Sequence, residues 1–242
     1  MINVTHLRYE VLRTLRNPAY LLLVIGLPLI LFYAIGSANR NAHADGTTFL
    51  LYFMTSMAVY GAMYAVVAPG SRTAQDRARG WTRQMRITPL RARSDVLAKV
   101  LCAYLVALPT LIVVYLAGIS LGVRLSAGQW GEITGLILVG LAPLVAMGIL
   151  FGYLIRPDTT AVVFGGSVVI LALLGGEFGT FFNSGAMLDV VKLLPSYWLA
   201  QAGKAAILGV NWPLEAWVVV GAWTLGMILL ATWAYRRMAA RI

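Results

Sequence analysis

Residues that could carry out covalent or redox chemistry are scarce in this sequence of 242 residues. It has 2 histidines and 1 cysteine, Cys102, which lies in an apolar run and cannot form an internal disulfide. The sequence also lacks the GxxxxGK(S/T) phosphate loop, the HExxH and CxxC metal or redox patterns and the GxSxG nucleophile motif. We therefore expect the chain to catalyse no reaction itself and to bind no metal or cofactor.

One acidic residue, Glu177, falls where an ionisable group would have a special effect. It follows Gly175 and Gly176 at the end of a long apolar run and precedes Phe178. Ionisable groups at membrane depth are rare and usually functional, so Glu177 and Phe178 are candidates for a translocation path or its gate. The alternative is a carboxylate that is exposed at the outer surface or hydrogen-bonded to the loop backbone.

Much of the positive charge lies in one polar stretch, residues 71–99, which separates two apolar runs. Its first part favours a short helix, because Arg72 and Arg79 stand four and three residues from Asp76 and can pair with it. Such a helix could contact another protein. The alternative is a polybasic loop that only fixes the topology and holds anionic lipid.

The composition indicates that most of the chain is surrounded by lipid rather than by water. Hydrophobic residues make up 60% and charged residues 12%, whereas soluble domains have about 25% charged residues. The mean hydropathy of +0.80 is that of a membrane protein. The net charge of +10 is then better explained by charge asymmetry across a membrane than by binding of nucleic acid.

These patterns predict an all-α integral membrane protein with a single transmembrane domain over residues 1–242. Residues 3–17 have the apolar stripe of an amphipathic helix that lies in the membrane interface. Residues 176–212 are apolar and interrupted, and we expect them to form short re-entrant helices on the external side. Six apolar runs have about the length needed to cross a membrane: Ala19–Ser37, Phe49–Ala68, Val96–Ser120, Ile133–Ile155, Thr159–Gly175 and Leu214–Tyr235.

The distribution of basic residues predicts the orientation. With six spans, both termini lie on one side of the membrane, and 15 of the 19 Lys and Arg residues fall on that side. Because positive charge is enriched in cytoplasmic loops, we expect both termini and the stretch 71–99 to be cytoplasmic.

The order of these elements and two local motifs resemble the permease subunits of ABC type-2 exporters, which include drug-resistance and polysaccharide-export permeases. Members typically have a stretch like E-R-x-x-G-x-x-x-x-(L/M)-x-x-T-P-L after the second span. Here Asp76 replaces the usual Glu, and Arg79 stands where an acid is common. A looser motif, Pro195-Ser-Tyr-Trp, precedes the last span. The residues that match the first motif are Asp76, Arg77, Gly80, Met85, Thr88, Pro89 and Leu90.

The resemblance implies that residues 71–90 form a coupling helix that docks on a separate ATP-binding subunit. This subunit would be present in two copies and would bind ATP and Mg²⁺. A second permease copy or a paralogue would complete the transporter in a bacterial cell membrane, with the first, second and fifth spans lining the path and the contact between the permeases. The implied coupling residues are Asp76, Arg77, Gly80, Arg83, Met85, Thr88 and Pro89.

The resemblance also implies outward transport of an amphiphile: a drug, a lipid or a lipid-linked glycan. Two other functions stay open, an ion-coupled secondary carrier and a non-transporting membrane scaffold. We find no acidic residue at the centre of a span and no internal repeat, which disfavours the carrier. Association with a separate ATPase would distinguish the exporter from both.

Overall fold

A computed structural model describes residues 4–39, 42–44, 47–79, 92–179 and 185–240, and most of these residues are helical. A 3₁₀ turn, Pro157–Thr159, links two of the helices. Two short strands, β1 (His43–Ala44) and β2 (Thr47–Thr48), pair antiparallel before the second membrane helix. The helices in these ranges are α1 (Val4–Leu15), α2 (Pro18–Gly36), α3 (Phe49–Val67), α4 (Pro69–Ala78), α5 (Ala92–Ser120), α6 (Ala127–Gly140), α7 (Ala142–Leu154), α8 (Thr160–Gly175), α9 (Ala186–Lys192), α10 (Pro195–Leu208) and α11 (Leu214–Ala240).

Six helical segments of the described chain are long and apolar enough to cross a membrane, which confirms the predicted all-α membrane fold. The second segment runs further than predicted, to Ala78. Ala68 keeps helical backbone angles, and Pro69 then begins α4 at a position where a helix needs no amide donor. The polar residues of α4 therefore follow α3 without an intervening loop.

The first membrane helix, α2, is irregular. Two π-helical turns, Leu22–Gly26 and Phe32–Gly36, lie on either side of the α-helical segment that contains Pro28. Proline cannot donate a hydrogen bond to the carbonyl four residues earlier, and its ring crowds that carbonyl. The hydrogen-bond pattern widens beside Pro28 as a result.

Helix α3 is the centre of the bundle, and it is packed against α2, α5, α7, α8 and α10. Almost every side chain from Tyr52 to Val67 is buried. In contrast, α2, α8 and α11 present apolar side chains such as Ile30, Ile170 and Leu229 on the outside of the bundle. The core therefore surrounds α3, and the outer surface is apolar, as a lipid environment requires.

The two predicted functional regions lie at opposite ends of α3. At one end, called here the α1 end, α1 packs against α5 and precedes Tyr20, whose hydroxyl donates a 3.0 Å hydrogen bond to the carbonyl oxygen of Ala65. At the other, the α10 end, a Cβ atom on Gly203 would lie 2.6 Å from the Cβ of Thr55, so the α10 backbone lies directly on α3. Helix α3 spans the distance between these two ends.

Candidate functional site

At the α1 end, α4 carries the first part of the predicted coupling stretch. Its acidic residue, Asp76, accepts hydrogen bonds from both terminal nitrogens of Arg13 on α1, and the shorter N–O distance is 3.3 Å. The short helix predicted from the spacing of Arg72, Asp76 and Arg79 is present, but Asp76 pairs with Arg13 rather than with either of these arginines. Asp76 points toward α1, so the ion pair links two helices and does not merely support one.

Arg72 makes a second link between α4 and the N-terminal region. Its guanidinium donates a hydrogen bond to the Thr14 hydroxyl and lies 5.5 Å from the centre of the Tyr20 ring, within the range of a cation–π contact. The Thr14 hydroxyl also donates to the carbonyl oxygen of Glu10 and lies 3.7 Å from the Cys102 sulfur on α5. Thr14 is buried, so α1 is docked through a closed polar contact.

Arg77 links α4 to α7 on its other side. Its guanidinium donates a 2.6 Å hydrogen bond to the carbonyl oxygen of Ile155, the residue that follows α7. The last carbonyl groups of a helix have no partner within the helix, and an arginine near them is favourable because of the helix dipole. The α4 and α7 backbones also touch, since a Cβ atom on Gly70 would overlap the carbonyl group of Gly148.

The structure therefore holds α4 between α1 and α7 and places Asp76 and Arg77 at these two contacts. The other predicted coupling residues lie outside the described part of the chain: Gly80, Arg83, Met85, Thr88 and Pro89. Sequence reasoning missed Arg13, Thr14 and Tyr20 as neighbours of α4. Their only signal is their position on the first helix and at the start of the second, which does not indicate a contact about 60 residues away in the sequence.

At the α10 end, the carboxyl group of Glu177 is fully buried, with 0% of the residue exposed. Neither of its oxygens has a hydrogen-bond partner among the described residues. The positive charge of Lys204 on α10 and the Ser56 hydroxyl of α3 both act on the carboxyl group. The alternative of a carboxylate exposed at the outer surface is therefore wrong.

The backbone around Glu177 is fixed by close contacts. Gly176 has φ of 86°, in the left-handed region that favours glycine, and this conformation ends α8. The Tyr52 hydroxyl donates a 2.8 Å hydrogen bond to the Gly176 carbonyl oxygen. A Cβ atom on Gly175 would lie 2.8 Å from the Ser196 carbonyl oxygen, so α8 and α10 meet backbone to backbone. The turn that carries Glu177 is thus held by both α3 and α10.

Phe178, the residue after Glu177, contacts α3. The Phe178 ring packs edge-on against the Tyr60 ring, with 5.3 Å between the ring centres. Ser56 and Tyr60 are seven and eleven residues from the start of α3 at Phe49, which corresponds to about 10 Å and 16 Å along the helix. Glu177 and Phe178 therefore lie beside the interior of α3 and not beside its first turn.

Lys204 also lies close to Tyr52. We call the residues Tyr52, Ser56, Glu177 and Lys204 the Glu177 cluster. The Lys204 ammonium lies 4.9 Å from the centre of the Tyr52 ring, within the range of a cation–π contact. Tyr52, Ser56 and Lys204 were missed from the sequence, because a tyrosine, a serine and a lysine far apart in an apolar chain form no motif. No group of three His, Cys, Asp or Glu side chains that could hold a metal occurs in the described ranges.

A cavity of about 510 Å³ lies elsewhere, between α5, α7 and α11. It is lined by apolar and aromatic side chains such as Val100, Ile149 and Ile228, with a few threonine and tyrosine residues. It can hold a hydrocarbon chain, and the described residues that line it include no charged side chain.

Sequence similarity to known proteins extends over both ends of α3. The sequence matches the family described as ABC-2 family transporter protein over residues 33–235, which is most of the chain. The chain belongs to the ABC-2 transporter family. It is also 25% identical over 235 residues to YvfS of Bacillus subtilis (strain 168), whose name describes a transport permease, and the similarity covers 96% of each protein. The predicted family resemblance is confirmed.

Membership of the ABC-2 family gives the protein its general role. It is a multi-pass membrane permease of an ABC transporter, and ABC-2 permeases work with ATP-binding subunits. It is therefore a transport component rather than a catalytic enzyme. The matched region contains α4 and Glu177 but begins within α2, so α1, which contacts α4, lies before it.

Proposed function

We propose that this ABC-2 permease is the membrane part of an ATP-driven exporter that moves an amphiphile outward across a bacterial cell membrane. The observation that carries the proposal is α4, a polar helix that continues the central helix α3 and is bonded on both sides. A displacement of the end of α4 would be transmitted to α1 through Asp76 and to α7 through Arg77. It would also be transmitted to the centre of the bundle, because α4 continues α3.

The orientation follows from the charge distribution. We place α1, α4 and both termini in the cytoplasm, because 15 of the 19 basic residues fall on that side of the six spans. The α10 end then faces outward, with α9 and α10 as re-entrant helices. This arrangement puts α4 where a soluble ATP-binding subunit can reach it.

The partners in this proposal are two ATP-binding subunits, which bind ATP and Mg²⁺, and a second permease copy or a paralogue. The coupling residues would be Asp76, Arg77, Gly80, Arg83, Met85, Thr88 and Pro89, of which the structure describes the first two. Helices α2 and α8 offer exposed apolar faces for the second permease. Helix α3 is enclosed within its own chain, so we assign the contact between permeases to the first and fifth spans and not to the second.

Glu177 and Phe178 would form part of the external gate. Their turn joins the end of α8 to α3 and α10, and the Phe178 ring lies against α3 about halfway along a membrane-spanning length. A movement of α3 relative to α8 would separate Phe178 from Tyr60 and open this contact.

The proposal is tested by co-purification and transport. The permease, expressed with its genomic neighbours, should co-purify with an ATPase that carries the missing phosphate loop. Inverted membrane vesicles should then accumulate a fluorescent amphiphile only when ATP is supplied. Accumulation that follows a proton or sodium gradient without ATP would instead support an ion-coupled carrier, for which the buried Glu177 is the favouring observation. Absence of both an ATPase and transport would support a scaffold.

A further inference from the structure

In the Glu177 cluster, the carboxyl group of Glu177 is buried, and the described residues do not give it the hydrogen bonds that a buried charge requires. An isolated carboxylate is strongly destabilising in a buried environment, so such groups are paired, protonated or bound to a ligand. Here both carboxyl oxygens are buried and without a hydrogen-bond partner in the described ranges. The site therefore favours an added proton or an added positive group beside Glu177.

The structure also shows which positive group the cluster accepts. The ammonium of Lys204 lies over the Tyr52 ring, and its charge acts on Glu177. An alkylammonium over an aromatic face with a carboxylate nearby is the arrangement by which proteins bind ammonium ligands. Lys204 is half-buried whereas Glu177 and Tyr52 are buried, so the lysine side chain lies on the side of the cluster that reaches the surface.

We propose that Tyr52, Ser56 and Glu177 form a binding site for the ammonium group of a cationic amphiphile, and that Lys204 occupies this site in the ligand-free permease. This inference rests on the proposed transport of amphiphiles and names the charge class of the substrate. The ligand ammonium replaces the Lys204 ammonium over the Tyr52 ring and beside the Glu177 carboxylate. Lysine can vacate the site because its charge is carried on a long, flexible and strongly hydrated side chain.

The exchange explains how the site would distinguish ligands. A cationic ligand that displaces Lys204 leaves the net charge of the cluster unchanged. A neutral ligand of the same shape would leave the Glu177 carboxylate without a counterion, and an anionic ligand would add a second negative charge. Selectivity then comes from the penalty on the wrong ligand as well as from the cation–π contact.

The test is equilibrium binding to the wild-type transporter in nanodiscs of phosphatidylglycerol, without ATP. Three dansyl-labelled alkyl probes are compared, which end in trimethylammonium, in the isosteric neutral tert-butyl group or in sulfonate. Binding to empty nanodiscs is subtracted. We expect the ammonium probe to bind at least about tenfold more tightly than the tert-butyl probe, which corresponds to about 1.4 kcal/mol.

Two substitutions should change this preference in opposite directions. Glu177→Gln should lower the affinity for the ammonium probe about tenfold and leave the tert-butyl probe unchanged. Lys204→Met should raise the affinity for the ammonium probe several-fold, because it removes the competing group. The matched controls Glu215→Gln, an exposed carboxylate at the start of α11, and Lys192→Met, at the end of α9, should change neither.

The opposite effects of the two substitutions on affinity distinguish a binding role from a purely structural role. If Glu177 and Lys204 served only as a stabilising charge pair, both substitutions would weaken binding of all probes together, and the proposal would be wrong. Equal binding of the three probes to the wild type would also overturn it. A folding defect cannot produce the expected result, since it cannot raise the affinity in Lys204→Met or spare the tert-butyl probe in Glu177→Gln.

Bilayer lipids with an ammonium headgroup are a second source of the same chemistry. Replacing part of the phosphatidylglycerol by phosphatidylethanolamine distinguishes them: competition with the probe would identify a lipid headgroup as a ligand, and no competition would identify a dissolved amphiphile. Because binding is measured without ATP, its failure leaves ATP-driven export unaffected. Conversely, a permease that prefers the ammonium probe but shows no ATP-dependent transport would contradict only the proposed export.

Discussion

Arg77 of α4 donates a 2.6 Å hydrogen bond to the backbone carbonyl oxygen of Ile155, at the end of α7. Helix α4 is thereby bonded to a second membrane helix that is distant in sequence. On its opposite side, Asp76 is paired with Arg13 of α1. These neighbouring residues hold α4 between the first and seventh helices, and they allow the coupling proposal to be tested one contact at a time.

Loss of the contact between Arg77 and Ile155 should weaken coupling. Arg77→Met retains most of the apolar side chain but leaves the Ile155 carbonyl without its donor, which should lower the free energy of unfolding by roughly 1 to 3 kcal/mol. We expect ATP hydrolysis by the complex to continue while transport per ATP falls several-fold. Both rates are measured in reconstituted vesicles. Arg79→Met, an exposed arginine at the end of the same helix, is the control, and an equal loss in both variants would contradict this role of Arg77.

The ion pair between Arg13 and Asp76 should keep α1 docked on α5. Asp76→Arg places two arginines at this contact and should release α1, whereas the swap Arg13→Asp with Asp76→Arg should restore docking in part. Cys102, the single cysteine of the chain, reports on this directly, because it is buried beside Thr14. Its rate of maleimide labelling should rise in Asp76→Arg and fall again in the swap.

The pair contributes little to global stability, since exposed or half-exposed ion pairs are typically worth about 1 kcal/mol or less. The labelling rate is therefore a more sensitive measure than unfolding. Asp158→Arg, which changes an exposed carboxylate before α8, should leave Cys102 protected. Rapid labelling of Cys102 in the wild type would show that α1 is not docked as described.

The contact between α4 and α7 should not tolerate a side chain at Gly70. A methyl group there would overlap the carbonyl of Gly148, so Gly70→Ala should lower the free energy of unfolding by about 1 to 3 kcal/mol through overpacking. The same change at Gly135 of α6, where a Cβ atom meets no other described atom within 4 Å, should instead stabilise its helix by about 0.5 to 1 kcal/mol. Thermal unfolding in detergent measures both, and a Gly70→Ala variant as stable as wild type would exclude direct backbone contact.

The proposed orientation predicts opposite labelling of the two ends of α3. A cysteine introduced at Arg79 should react with a membrane-impermeant maleimide only in inverted vesicles, and one at Val210, an exposed residue after α10, only in intact cells. Cys102 is buried and should remain unlabelled in both. Labelling of both introduced cysteines from the same side would overturn the arrangement of the six spans.

Hydrophobic pattern alone is sufficient to locate the membrane helices. A run of apolar residues fixes a membrane helix by itself, because the backbone must satisfy its own hydrogen bonds in lipid. The spans beginning near Pro18, Phe49 and Val96 were therefore predictable to within a few residues. The continuation of the second span into α4 was not, because the sequence changes from apolar to polar at a proline that normally ends a helix.

Contacts between residues that are distant in the chain could not be predicted from the sequence alone. Asp76 has two arginines within helical reach and nevertheless pairs with Arg13, because tertiary packing brings α1 closer than the geometry of one helix predicts. Glu177 is recognisable in the sequence as unusual, but the residues that act on its carboxyl group, Lys204 and Ser56, come from two other elements. Only the packing of α3, α8 and α10 shows that its carboxyl group is enclosed.

The enclosure of α3 has a consequence for the surrounding bilayer. A helix in contact with lipid must match the thickness of the hydrocarbon layer by tilting, kinking or deforming the bilayer. Helices α2, α8 and α11 are subject to this requirement because their outer faces are exposed, whereas α3 is surrounded by protein along most of its length. The tilt of α3 is therefore determined by its neighbouring helices, and membranes of different thickness should leave it unchanged.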